Sequence, residues 1–341
     1  MYPLVQDPPA LSSMIGDAEA MCRLKSLIQR YAHCDASVLI EGETGTGKEL
    51  VARELHYASA RRDKPFVPVN CGALPDALLE AELFGHRRGA FTDARSSEQG
   101  LVEYARGGTL FLDEVDSLSA RAQTTLLRFL QNGEFRVVGE RPVRVADVRV
   151  LAATNCALLG AIEAGRFRRD LYYRLSSLQL ALPPLRARGG DLPLLAVHLL
   201  ADTVARNGLP ACRWQPDALR ALARHCWPGN VRELENVILR ACVHAPNGSI
   251  GLEELAMAAP EIWPATPAQG PAAAPLPAEE GVLSFADAKQ HAIERFERSY
   301  LVQLMARTDF NVSHAASLAH TERRHLGKLL KRHGIQRVHS D

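Results

Sequence analysis

The chain has 341 residues, 47% of them hydrophobic and 23% charged, with a formal net charge of +1. This is an ordinary globular composition, long enough for about two or three domains, and no apolar run approaches the length that spans a bilayer. Residues 1–10 also lack the basic and apolar regions of a signal peptide, so a cytoplasmic chain with no membrane partner is expected.

Seven cysteines are scattered without a C-x-x-C pair, which gives no sign of a disulfide framework or a zinc ribbon. They read most simply as small buried residues in a reducing compartment. The charge is uneven along the chain. Residues 283–341 hold ten Lys/Arg against six Asp/Glu, which directs the search for nucleic acid to that end.

From the N-terminus, Leu11 to Ala32 carries apolar residues at helical spacing after Ile15-Gly16. The apolar run Ser37-Val38-Leu39-Ile40 then leads into Gly42-Glu43-Thr44-Gly45-Thr46-Gly47-Lys48-Glu49, followed by an amphipathic helix pattern over 50–60. A strand, a glycine-rich turn and a helix in that order make a phosphate cradle, in which backbone N–H groups and the helix N-terminus converge on an anion. Lys48 adds a point charge, so the stretch predicts a nucleoside triphosphate site. The residue after Lys48 is Glu49 where a P-loop usually has Ser or Thr, so Mg²⁺ must take other oxygens.

Phe66–Asn70 reads as a second strand ending on a polar Asn70, and the stretch from Ala81 to Ala94 opens helical and becomes a glycine-punctuated loop around Phe91. The strand at Thr109-Leu110-Phe111-Leu112 ends on Asp113 and Glu114, and the carboxyl ends of parallel strands face the ligand crevice. Asp113 is placed to hold Mg²⁺, and Glu114 to orient or deprotonate an attacking water. A further strand over 148–155 ends on Asn155, and Arg166 to Leu175 is dense in arginine, usually the mark of a solvated face. Alternating strands and helices to about residue 182 predict an α/β doubly wound parallel sheet over 11–182, after a short extension at 1–10. Residues 183–258 read as helices only, at about 191–206, 215–225 and 229–244.

Residues 259–282 are rich in Pro and Ala and read as a linker. In the final segment, 283–341, Ser284 and Asp287 have capping-box spacing. Ala288, Ala292, Phe296, Tyr300 and Leu304 recur every four residues, as plain core or as a dimer face. Ser313 is expected to cap a short helix to Ala319. A second helix from Arg323 to His333 points Leu326, Leu329 and Leu330 inward and Arg323, Arg324, His325, Lys328, Lys331 and Arg332 outward. That is the shape of an all-α helix-turn-helix with a basic helix suited to the major groove.

Together these motifs resemble the bacterial enhancer-binding proteins, AAA+ ATPases that activate sigma-54 RNA polymerase, over about Ile15 to Ile335. The cradle matches the family's G-E-[ST]-G-T-G-K-E, so Glu49 is at home there. The resemblance implies ATP with Mg²⁺ on Asp113, Glu114 activating water, and Asn70 holding that glutamate in check. It further implies Asn155 as sensor I, Arg232 as sensor II, and Ile15-Gly16 against adenine. Arg168 and Arg174 are implied to reach a neighbour's ATP in a hexameric ring.

Gly89-Ala90-Phe91-Thr92-Asp93-Ala94 matches the loop that grips sigma-54, with Asp93 replacing the usual Gly. Either coupling is retuned, or the protein is an ATP-binding, DNA-binding regulator or repressor uncoupled from sigma-54. The last sixty residues resemble a Fis-type domain for upstream DNA, departing at His320 and Gly327. No receiver or sensor domain fits before the ATPase, so control by a partner protein or by expression level is expected.

Overall fold

The computed structural model describes residues 14–73, 76–90, 96–263, 297, 301, 304–305, 308, 311–319, 321 and 323–333. Two compact units are resolved, 1–267 and 268–341.

In the first unit five parallel strands form the central sheet: β1 Val38–Glu41, β2 Phe66–Asn70, β3 Thr109–Asp113, β4 Arg149–Thr154 and β5 Leu178–Ala181, in the order β2-β3-β4-β1-β5. Successive side chains of a strand face opposite ways, and both faces here are apolar. Leu110 and Leu112 enter one core layer and Phe111 the other; Val150 and Ala152 are separated from Leu151 and Ala153 in the same way. Helices α1 Glu19–Ala32 and α2 Lys48–Tyr57 cover one face, while α3 Ala120–Asn132 and α4 Arg169–Leu175 cover the other. This is the doubly wound architecture that the alternating pattern predicts.

The second helix starts at Lys48, two residues before the amphipathic pattern reveals it, because Gly47 closes the loop in a left-handed conformation. Gly85–His86 pairs antiparallel with Glu98–Gln99, a short stem that the sequence reading missed. The loop on that stem, Phe91 to Ala94, lies outside the described residues, as do the linker after Trp263 and Ala288, Ala292, Phe296 and Tyr300 of the four-residue stripe.

A separate helical core follows the sheet, built from α5 Asp191–Asn207, α6 Pro216–Leu222, α7 Asn230–Val243 and α8 Leu252–Ala258. Trp227 is fully buried at its centre and donates its indole N–H to the Leu222 carbonyl at 3.0 Å. Ile262 and Trp263 still pack on this core.

In the second unit α9 Val312–Leu318 and α10 Arg323–Arg332 pack through Ala315, Ala316, Leu326 and Leu330. The cap of α9 is Asn311, not Ser313: its side-chain oxygen accepts from the Ser313 and His314 N–H groups at 3.1 and 3.2 Å. Asparagine two residues earlier serves the first turn better than a serine already inside it. The cysteine expectation also needs correcting. Only Cys71 and Cys242 are buried, whereas Cys22, Cys34, Cys156 and Cys226 are exposed.

Candidate functional site

The carboxyl edge of the sheet gathers the predicted residues. Gly42 to Gly47 leaves β1 there, and Asn70, Asp113 and Asn155 end or follow three further strands. Asn70 and Asp113 are register partners. Lys48 is buried and donates its ammonium to the carbonyls of Gly42 at 2.8 Å and Glu43 at 3.2 Å. Burial lowers its pKa, and the carboxylates of Asp113, Asp116 and Glu114 work in the opposite direction. Thr46 Oγ1 donates to Glu43 O at 2.7 Å. The Glu49 side chain, by contrast, is exposed and paired with Arg53 at 2.7 Å.

Glu114 has left the strand. It sits at φ 56°, an uncommon conformation for a residue other than glycine and one that clusters at functional sites. Asn70 Oδ1 accepts from Gly72 N–H at 2.8 Å. Asp116, absent from the sequence reading, accepts from Thr154 Oγ1 at 2.8 Å and so ties the turn after β3 to the end of β4.

Beside the cradle lies a cavity of about 310 Å³, walled by Met14, Ile15, Leu24, Val51, Leu199 and Val231. Its size and apolar lining suit a flat aromatic ring. Gly16 is held in place by two neighbours: Lys25 Nζ donates to its carbonyl at 2.7 Å, and Asp191 Oδ1 accepts from Asp17 and Ala18 N–H at 2.7 and 2.8 Å. The cradle also fits an anion, since a Cβ at Gly47 would face open space. Among the described residues no three His, Cys, Asp or Glu gather closely enough to bind a cation, so a divalent ion at Asp113 would need phosphate oxygens and water to complete its shell.

The helical unit closes directly on the loop. Gly45 O accepts from Val231 N–H at 2.9 Å, and a Cβ on Gly45 would overlap the Gly229 carbonyl, so the loop needs glycine there. Arg188, buried, donates to Thr46 O at 2.9 Å, and Arg186 holds the Glu43 carboxylate at 2.5 Å. That hydrogen bond is the main reason the Glu43 pKa falls to about 2. Sequence reading missed Arg186, Arg188 and Asn230. The signal available was the left-handed preference of Asn in Pro228-Gly229-Asn230, which does occur, at φ 54°. Arg232 is exposed at the start of α7.

Arg168 and Arg174 are both exposed but differently engaged. Arg168 forks onto Asp170 at 2.7 and 3.0 Å, whereas Arg174 donates to the carbonyls of Leu130 and Gln131 at 2.7 and 3.0 Å, ending α3. The backbone of Arg174 bonds Ser37, just before β1, so this residue lies at the amino edge of the sheet, opposite the cradle. Of the segment Gly89–Ala94 expected to contact sigma-54, Gly89 and Ala90 are described, and Arg87 just before it pairs with Glu140. In the second unit Arg323, Arg324, His325, Lys328, Lys331 and Arg332 are all exposed along α10.

A phosphate loop after β1, acids at the end of β3 on the far side of β4, and a helical unit seated on the loop define an AAA+ P-loop NTPase. The Sigma-54 interaction domain family matches residues 14–181, and the AAA+ ATPase lid domain family matches 186–270. The chain is 45% identical over 309 residues to the hydrogenase transcriptional regulatory protein HoxA of Bradyrhizobium diazoefficiens, covering 91% of this chain and 62% of HoxA. It is 40% identical over 335 residues to the response regulator protein PilR of Pseudomonas aeruginosa, covering 98% and 72%. The crystal structure of Brucella abortus NtrX in complex with ADP superposes with a TM-score of 0.68 at 32% identity, covering 96% of this chain and 70% of NtrX. The chain belongs to the sigma-54-dependent family of AAA+ transcription regulators. It spans a little over three fifths of the length of HoxA and of LuxO from Vibrio cholerae, another relative. No helix among the described residues is long and apolar enough to cross a membrane.

Proposed function

We propose that this chain is a cytoplasmic, ATP-driven activator of sigma-54 RNA polymerase that binds DNA upstream of its promoters. ATP would lie with its phosphates on Gly42–Glu49, its base in the cavity beside Ile15 and Gly16, and Asn155 and Arg232 near the phosphates. NtrX, a relative of similar fold, binds ADP and ATP, which supports the choice of nucleotide. The observation that carries the reading is that Lys48, buried in the cradle, stands in the field of Asp113 and Glu114 at the carboxyl end of β3, the strand beyond β4.

Glu114 would take the proton of the attacking water while Asn70 and Gly72 fix where its carboxylate waits. Asp113 would hold Mg²⁺, which when bound offsets charge on the phosphate oxygens. Arg174 lies at the edge of the sheet opposite its own cradle, which favours a role for it across a subunit boundary, and Arg168 would act beside it. An arginine from a neighbour makes turnover depend on assembly, here as a hexameric ring with dimer contacts through the C-terminal unit. Hydrolysis would drive Gly89–Ala94 against sigma-54. The basic face of α10 would read upstream DNA, and avidity across the ring would offset weak individual sites.

ATP-dependent transcription from a sigma-54 promoter, measured with the wild-type chain and with Glu114→Gln, tests the proposal. Activity with the first and none with the second is expected; no activity with either overturns it.

A further inference from the structure

A loop that aims its N–H groups inward at phosphate turns its carbonyls outward, and each of those carbonyls needs a donor. Lys48 serves the carbonyls of Gly42 and Glu43. The next three are served by the lid and the segment leading into it: Thr44 O by Asn230 Nδ2 at 3.0 Å, Gly45 O by Val231 N–H, and Thr46 O by Arg188. Asn230 differs from the other donors in how completely it is used. It is fully buried, its Oδ1 accepts from Leu185 N–H at 2.8 Å, and its Nδ2 also reaches Glu43 Oε2 at 3.2 Å. One amide therefore joins the phosphate loop, the segment before the lid and the first turn of α7.

We infer that Asn230 is a positioning residue that couples the lid to the phosphate loop, so that lid orientation sets nucleotide affinity through its side-chain amide. The inference rests on the nucleotide reading given above. Aspartate at 230 would keep the size, the left-handed backbone and the acceptor for Leu185, but would set a carboxylate oxygen against the Thr44 carbonyl and Glu43. Glutamine at 43 would then supply a donor to that carboxylate and restore the link in reversed polarity.

The test uses the full chain as wild type, Asn230→Asp, Glu43→Gln and the double variant. Two quantities are measured: the Kd of a fluorescent ATP analogue, and hydrogen exchange of the loop amides Gly42–Lys48 without nucleotide. Asn230→Asp should raise both the Kd and the loop exchange rate about tenfold while the α7 amides stay protected. The double variant should recover part of both losses, because the link to residue 43 returns while the Thr44 carbonyl still lacks its donor.

Unchanged loop exchange in Asn230→Asp, or purely additive effects in the double variant, overturns the coupling. If the wild-type chain binds no analogue while Asn230→Asp still frees the loop, the nucleotide reading fails and the lid-to-loop coupling stands. If Asn230→Asp does not fold, Asn230→Gly, which keeps the backbone conformation, takes its place with the same expectations for loop exchange and Kd.

Discussion

The carboxylate of Glu114 lies directly over Gly72: a Cβ added to that glycine would stand 2.6 Å from Glu114 Oε2 and 3.4 Å from Asn70 Oδ1. A hydrogen at that position is therefore part of the seat of the acid proposed to activate water. Gly72→Ala should displace the carboxylate and cut ATP turnover about 100-fold, the scale expected when a reacting group is misplaced by an ångström, with little change in nucleotide Kd. Steady-state phosphate release beside equilibrium nucleotide binding checks this.

The two candidate trans arginines should separate by stability. Arg168 is held by an exposed ion pair to Asp170, a kind of contact worth little, so Arg168→Ala should leave the unfolding free energy unchanged. Arg174 caps the carboxyl end of α3, and Arg174→Ala should cost about 0.5–1 kcal/mol. Denaturant titrations of the two variants give the comparison. Mixing Glu114→Gln protomers with Arg168→Ala protomers should restore some hydrolysis, because a site between them would have both groups intact.

Acid should loosen the sheet through His56. Its ring is buried, with Nδ1 2.9 Å from Thr109 Oγ1, and burial, aided by the charges of Arg149 and Arg53, pushes its pKa down to about 4 from 6.5. Between these values the unfolded chain binds a proton that the folded chain refuses. The stabilising effect is complete above pH 6.5 and is lost as the pH falls toward 4, by roughly 3 kcal/mol at most. Stability measured across this range should fall less steeply for His56→Gln than for the wild type.

Gly327 lies in the middle of α10, and a Cβ there would meet nothing within 4 Å. Gly327→Ala should therefore stabilise the second unit by about 1 kcal/mol without disturbing its packing. Thermal unfolding followed by circular dichroism measures the gain.

How much could be read beforehand depended on whether a signal was local. Four of the five sheet strands announced themselves by an apolar run ending on a polar side chain, whereas β5, the short Leu178–Ala181, has no such ending and was missed; Gly42 to Lys48 carried its chemistry in adjacent residues. The lid contacts did not, because Arg188 and Asn230 donate to backbone carbonyls 142 and 186 residues away, and a carbonyl leaves no mark in sequence. The left-handed turn of Glu114 was equally silent, since the two acids read as the end of one strand. At α9 two residues capable of capping lay two apart, and the pattern favoured Ser313 over Asn311, the residue that makes the bonds.

Promoter melting is the most direct measurement of the central claim. Permanganate footprinting of a sigma-54 promoter, with polymerase and the purified chain, should reveal unpaired thymines when ATP is supplied. None should appear with a non-hydrolysable analogue. A promoter that stays closed with ATP, polymerase and intact protein together would contradict the account.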